Sequence, residues 1–318
     1  MINPFWNPTE HRLRALWRLV LQVFILILSI ELPVSILRLI FHGIPGKQYQ
    51  ILDTLTLPVL TLVGIFFSLW LAGLLLDRRP FDNFGFHFSH KWWMDFVFGL
   101  ALGAGLMLSI FLVELAAGWV TITATFQGGT AGLPFIPAFC ISLVLFLCVG
   151  LYEEMWFRGY FLRNLAEGFN LRIIGPRTAL LLAYLVSSII FGLLHAGNPN
   201  ASMLSTFLLL FAGLFLGLGF ILTGELAIPI GFHITWNLFE GNVFGFNVSG
   251  TTPPGTFIQI NQSGPTLWTG GAFGPEAGLI GLAAIILGSL AIYLWVKANQ
   301  KTAPLQTQLT QYLRQVDA

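Results

Sequence analysis

Pro134-Phe-Ile-Pro-Ala-Phe-Cys-Ile-Ser-Leu-Val-Leu-Phe-Leu-Cys-Val-Gly-Leu-Tyr-Glu153-Glu154-Met-Trp-Phe-Arg158 is an uninterrupted apolar run that ends on two carboxylates and a guanidinium. Residues 134–152 hold no charge, close to the ~20 apolar residues a helix needs to cross hydrocarbon. The run is continuous rather than alternating, which selects a helix over a barrel strand. Only helices and closed barrels satisfy their backbone polar groups in lipid.

Seven more stretches of this kind occur, at 18–41, 54–76, 94–118, 178–195, 203–222, 228–246 and 278–296. The composition agrees: 56% of the 318 residues are hydrophobic and 9% charged, against roughly a quarter charged in soluble domains. The fold class expected is all-α, a polytopic membrane protein of about eight transmembrane helices. The organisation reads as 1–133, the first three membrane helices; 134–246, a helical core; and 247–318, a loop, the last membrane helix and a tail. A net charge of +1 gives no footprint for nucleic acid. Cys140 and Cys148 lie in one apolar run and read as packing residues. No small-residue cleavage site follows the first run, so it reads as a retained helix.

Loop cations set the expected orientation. With eight helices, one side holds Arg12, Arg14, Arg18, Arg78, Arg79, Lys91, Arg158, Arg163, Arg172, Arg177, Lys297, Lys301 and Arg314, and the other Arg38 and Lys47, which accounts for all 15. Both termini are therefore expected in the cytoplasm, and the cell membrane is the expected location. Residues 247–277 contain no Lys or Arg, are rich in Gly, Pro, Thr and Asn, and read as an irregular outer loop. Their Asn247-Val-Ser249 and Asn261-Gln-Ser263 triplets read as chance matches to a glycosylation pattern.

Ionisable groups within apolar helices are functional candidates by default. Glu154 and Arg158 are four apart, the favourable order for an ion pair on one helix face. That leaves Glu153 free to face a cavity, where a carboxylate can act as a general base on water. The competing reading is a helix end where both glutamates are solvated. His195 closes Phe191-Gly-Leu-Leu-His195, and His233 and Asn237 share a face of a later helix. A neutral imidazole can bind a metal, orient water or stabilise an oxyanion, and a lone histidine at a helix end can equally be structural. Glu240 extends the polar face of His233 and Asn237, towards the same cavity or the outer loop. Glu31, Arg38 and Glu114 read as bland.

These elements together resemble the CAAX protease and bacteriocin-processing (Abi) family, which includes the type II CAAX prenyl endopeptidases. The family's pattern is two adjacent glutamates with an arginine four residues after the second, then Phe-x-x-x-His, then His-x-x-x-Asn, matched here by Glu153, Glu154 and Arg158, by Phe191 and His195, and by His233 and Asn237. The resemblance implies an intramembrane endopeptidase in which Glu153 activates water with help from His195. His233 and Asn237 would stabilise the oxyanion, and Glu154 and Arg158 would support them. It implies a peptide or membrane-protein substrate and leaves the cofactor open between none and Zn2+, the latter held by His195 and His233 together with Glu153. A non-catalytic scaffold or bacteriocin-immunity protein on the same fold and a proton-coupled transporter are the alternatives. The reading requires Glu153, His195, His233 and Asn237 to line one cavity beneath the cytoplasmic surface. Strict helix alternation instead sends His195 towards the outer side.

Overall fold

A computed structural model describes residues 3–44, 46–129 and 132–312. The chain is helical almost throughout. A short β1 (Trp6–Asn7) and β2 (Arg12–Leu13) lead into α1 (Ala15–Phe41), α2 (Gly46–Ala72) and α3 (His90–Ala116). Strand β3 (Val120–Gln127) precedes α4 (Phe135–Glu154) and α5 (Arg163–Phe169), and the two helices are joined without a break by a π-helical stretch, Met155–Leu162. Then come α6 (Pro176–Leu194), α7 (Met203–Thr223), α8 (Ala227–Leu238), β4 (Thr256–Gln262), a single turn α9 (Thr266–Thr269), and α10 (Leu279–Gln300). Local sequence sets several boundaries: Ser89 caps α3 by accepting from the Trp92 N–H, Ser202 and Ser205 form a reciprocal capping box on α7, and Pro176 opens α6.

Among the described residues, seven helices are long and apolar enough to cross a membrane, and between 17% and 56% of each one's most apolar stretch is buried within the protein. Leu28, Leu39, Phe66, Ile286 and Leu287 stand exposed. In water such surfaces would drive aggregation; in hydrocarbon they are the contact surface. This is an integral membrane protein. The eighth pass differs from expectation. The 228–246 run folds as the 12-residue α8, extended by a π-helical turn to Val243, and every residue of α8 is buried. It is the axis of the bundle rather than a lipid-facing span.

Close backbone approach holds α8 in place. A Cβ on Gly103 would lie 2.6 Å from the Phe232 carbonyl oxygen, and one on Gly99 2.5 Å from that of Ile228. Small residues let membrane helices meet at the backbone, and Thr235 Oγ1 then donates to the Leu100 carbonyl at 2.8 Å. Gly103→Val should therefore cost roughly 1–3 kcal/mol or more, read as a lower melting temperature in detergent. Gly105→Ala, where nothing lies within 4 Å of the added carbon, should be neutral or gain up to ~1 kcal/mol.

Both described ends of the chain gather at one end of the bundle. Tyr312 donates to the Arg78 carbonyl, Asn170 to that of Thr310, and the Gln306 N–H to that of Ile221. The opposite end carries an antiparallel β3–β4 ribbon, Val120 facing Gln262 and Gln127 facing Thr256. The 247–277 segment is thus not irregular throughout, since strand, short helices and turns order it. Several cations assigned to loops are also elsewhere. Arg158 and Arg163 lie on the α4–α5 rod, Arg18 lies within α1, and Arg12 and Arg79 are buried; Arg314 lies outside the described residues. Of the tryptophans near helix ends, Trp92 is buried, with its ring N–H on the Gly85 carbonyl. Both cysteines are free.

Candidate active site

The fourth apolar run does not stop at Glu153. Phe135–Phe169 is one 35-residue helical rod, so Glu153 sits near its middle, about 24 Å from Phe169 at ~1.5 Å per residue. His195 directly follows the 19-residue α6, about 28 Å from its start. The depths match because the rod continues past the glutamates, and this removes the conflict that helix alternation raised for His195. Met155–Leu162 is π-helical where the site begins, a distortion common at functional positions.

Glu154 is fully buried. Its Oε1 accepts from Arg158 Nη1 at 2.9 Å and from His233 Nδ1 at 2.8 Å. Arg158 Nη2 donates to the Gly213 carbonyl at 3.3 Å, and its guanidinium lies 4.5 Å from the Phe191 ring centre. One buried carboxylate thus ties together the α4–α5 rod, α6, α7 and α8. The bond to Glu154 fixes His233 as the Nδ1–H form and directs Nε2 away from Glu154.

Glu153 points the other way. Its Oε2 lies 4.0 Å from His233 Nε2 and has no hydrogen-bond partner among the described residues. That gap is too long for a direct hydrogen bond and suits a bridging water. His195 Nδ1 donates to the Phe191 carbonyl at 2.8 Å, which leaves Nε2 available. Asn237 lies one turn beyond His233. Glu153, His195, His233 and Asn237 line a single cavity of about 580 Å³. The four residues from three helices therefore come together as expected, and the Glu154–Arg158 pair forms as its spacing predicts.

The cavity's position is different. Its walls include Asn198, Val248, Ser249 and Thr251, from loops at the end opposite the termini. It does not lie beneath the surface that carries the chain ends. Leu26, Ile65, Phe146 and Trp156 give it an apolar side between α1, α2 and α4.

Zinc would need Glu153, His195 and His233 within ligand reach of one point. Among the described residues no group of three or more His, Cys, Asp and Glu side chains gathers that closely. This arrangement does not fit a zinc centre, so no chemistry is routed through one. Glu240 is buried but does not line the cavity, and its Oε1 approaches Gly274 of the outer loop. Glu114 accepts from Gln262 Nε2 at 2.8 Å, and Glu31 and Arg38 stand exposed.

Glu276 has no counterpart among the residues the sequence singled out. It is buried, and its Oε1 accepts from the Ser249 N–H at 2.7 Å and from Ser249 Oγ at 2.8 Å. Burial pushes its carboxyl above the usual carboxylate range, against the Ser249 hydrogen bonds and the nearby charges of His195 and His233. Its only sequence signal is an acid between two glycines just before an apolar run, Gly274-Pro-Glu276-Ala-Gly278.

Residues 135–239 match the family model described as type II CAAX prenyl endopeptidase Rce1-like, about a third of the chain. No curated protein and no solved structure matches it. The matched segment holds all six motif residues, from Glu153 to Asn237. Over residues 135–239 the helical core is thus similar to the CAAX protease and bacteriocin-processing family, which includes the type II CAAX prenyl endopeptidases.

Proposed function

We propose that this protein is an intramembrane endopeptidase that hydrolyses a peptide bond with Glu153 as general base. The observation that carries the reading is the unpartnered Glu153 Oε2, 4.0 Å from His233 Nε2, in a cavity shared with His195 and Asn237. Water held between Glu153 and His195 Nε2 gives a proton to the Glu153 carboxylate as its oxygen attacks the scissile carbonyl. The carbonyl π pair moves onto oxygen. That oxyanion accepts hydrogen bonds from the Asn237 amide and from His233 Nε2–H, the imidazolium form that Glu154 stabilises through Nδ1. Collapse of the intermediate breaks the C–N bond, and Glu153 returns its proton to the leaving amine. With His233 protonated, the charges of Glu153, Glu154, Arg158 and His233 sum to zero, which suits a buried cluster.

The substrate class is a peptide or membrane protein with an apolar flank, which the side between α1, α2 and α4 would receive. The first probe is a farnesylated peptide ending in Cys-aliphatic-aliphatic-X, followed by a library of apolar peptides read by mass spectrometry, with the protein in detergent. Asn237→Ala should lower kcat about 10²–10³-fold with little change in KM. Unaltered kcat would remove Asn237 from the oxyanion site, and absence of cleavage across both probe sets would favour the non-catalytic scaffold.

The exposed cations Arg78, Lys91, Arg172, Arg177 and Lys301 all lie at the end bearing the termini, and they favour placing both termini in the cytoplasm of a cell-membrane protein. The cavity would then be reached from the outer half of the bilayer. Reagent labelling of single cysteines placed at 172 and at 252 in intact cells tests this directly.

A further inference from the structure

Behind the main cavity lies a second, smaller chamber of about 40 Å³. Its polar wall consists of His195, His233, Asn237, Ser249 and Glu276, and the remainder is apolar, with Phe215 and Ala212 among the residues that close it. Three of the polar five are residues of the proposed hydrolytic site, so the imidazoles and the amide separate the two spaces. A volume of this size exceeds the ~10–15 Å³ that one water requires, and a water is held where two to four polar partners surround it. Ser249 holds one Glu276 oxygen, Oε1, in place through two hydrogen bonds, which leaves Oε2 as the oxygen that Glu276 can offer to the chamber it lines. Glu276 comes from the loop before α10, outside the segment that matches the family model.

We propose that Glu276 is a further positioning residue of the site: through a water lodged in this chamber, its carboxylate holds Asn237, and through it the neighbouring His195 ring, in the orientation that substrate requires. The inference rests on the peptidase reading for its catalytic consequence, but not for the water bridge itself. His195 uses Nδ1 on the Phe191 carbonyl and Nε2 for the hydrolytic water, so the chamber it lines acts on it through its neighbours. Asn237 has no side-chain hydrogen bond to another residue that would fix its amide plane. Glu276 supplies the missing restraint. The other ionisable groups around the partition are Glu153, Glu154 and Arg158, on the rod side of His233, and the buried Glu240, which lies on the far side against the Gly274–Glu276 loop.

The test uses the full chain in detergent. Glu276→Gln retains an acceptor for both Ser249 bonds and exchanges only the free oxygen for an amide. Ala212→Val fills the chamber from its apolar side and leaves Glu276 intact, so it serves even if the first variant folds poorly. Each should lower kcat about ten- to hundredfold while KM stays within about twofold, as outer partners of active-site side chains do when removed. Each should also move the ring 15N resonance of His195, assigned by its loss in His195→Gln, at fixed pH. Wild-type kcat and an unmoved resonance, with Glu153→Gln inactive, would overturn the role of Glu276 alone. If Glu153→Gln stays active, the peptidase mechanism fails instead, and the His195 resonance still decides whether the bridge to Glu276 exists.

Discussion

Glu153→Gln should lower turnover by about 10²–10⁴-fold in kcat while leaving insertion, folding and melting temperature unchanged. The structural reason lies in how little the rest of the protein asks of this carboxylate. Its side chain is 19% exposed, onto the cavity, and its nearest charged neighbour is His233 Nε2 at 4.0 Å. Oε2 makes no hydrogen bond to another residue. Glutamine has the same shape, so removing the charge strands no partner and opens no void; only the ability to take a proton from water is lost. The adjacent Glu154 has the opposite profile. It is fully buried and holds both Arg158 and His233 on one oxygen, so its removal leaves two cationic groups without their counter-charge, and lost activity there could not be separated from lost structure. Glu153 is therefore the position at which chemistry can be tested cleanly. The measurement is the rate of peptide release per folded molecule, with the folded fraction taken from size exclusion and thermal unfolding. Activity that survives in Glu153→Gln sinks the mechanism. Rescue of a deletion phenotype by an inactive Glu153→Gln protein would assign the biological role to a scaffold.

The sequence makes the membrane helices legible because apolar length is a one-dimensional property. It makes Glu153, His195, His233 and Asn237 legible because polar groups in apolar helices stand out at helical spacing. What it hides follows from the same rules. Residues 155–169 look like the start of a loop because hydropathy counts Arg158, Arg163 and Glu167 as solvated charges. In the fold each charge faces an opposite one, Arg158 on Glu154 and Glu167 on Arg12, Arg18 and Arg163, and the helix carries them onward. The shifted end of that helix is what misplaced His195 relative to Glu153. The 228–246 run reads as a span because a helix that is apolar all round is suited equally to lipid and to a protein core; only its neighbours decide, and α3, α4 and α7 enclose it. The β3–β4 ribbon pairs residues 129 to 142 positions apart, Gln127 with Thr256 and Val120 with Gln262 at its ends, and no local pattern announces such a partner. Glu276 is a single acid in a Gly- and Pro-containing turn, made relevant only by the loop that folds back over the histidines.

Loss of charge at Glu167 should be the most damaging conservative change away from the site. Four guanidinium groups converge on its carboxylate: Arg12 Nη2 at 2.9 Å, Arg18 Nη2 at 2.8 Å, Arg163 Nε at 3.8 Å, and Arg79, whose Nη2 donates to Oε1. Glu167 is 5% exposed, and the side chains of Arg12, Arg18 and Arg79 are buried as deeply. Arg12, Arg18 and Arg79 come from the N-terminal strand, from α1 and from the segment after α2, so one carboxylate fastens three separate parts of the chain to the end of the α4–α5 rod. Glu167→Gln keeps the volume and leaves the guanidiniums with Asp77 and the one-third exposed Glu10. Breaking a buried ion pair from one side costs about 3–5 kcal/mol, because the remaining charge stays desolvated. The expected result is a fall in detergent melting temperature of order 10 °C, or loss of folded protein, scarcely relieved by salt because buried pairs are weakly screened. Glu10→Gln, at the exposed margin of the same cluster, should cost no more than about 1 kcal/mol. Equal shifts for the two variants would show that the cluster is not a clamp. A large gap between them, with near-normal kcat in whatever Glu167→Gln protein remains folded, would show that the rod is held at its far end so that Glu153 and Glu154 stand at fixed depth beside His195 and His233.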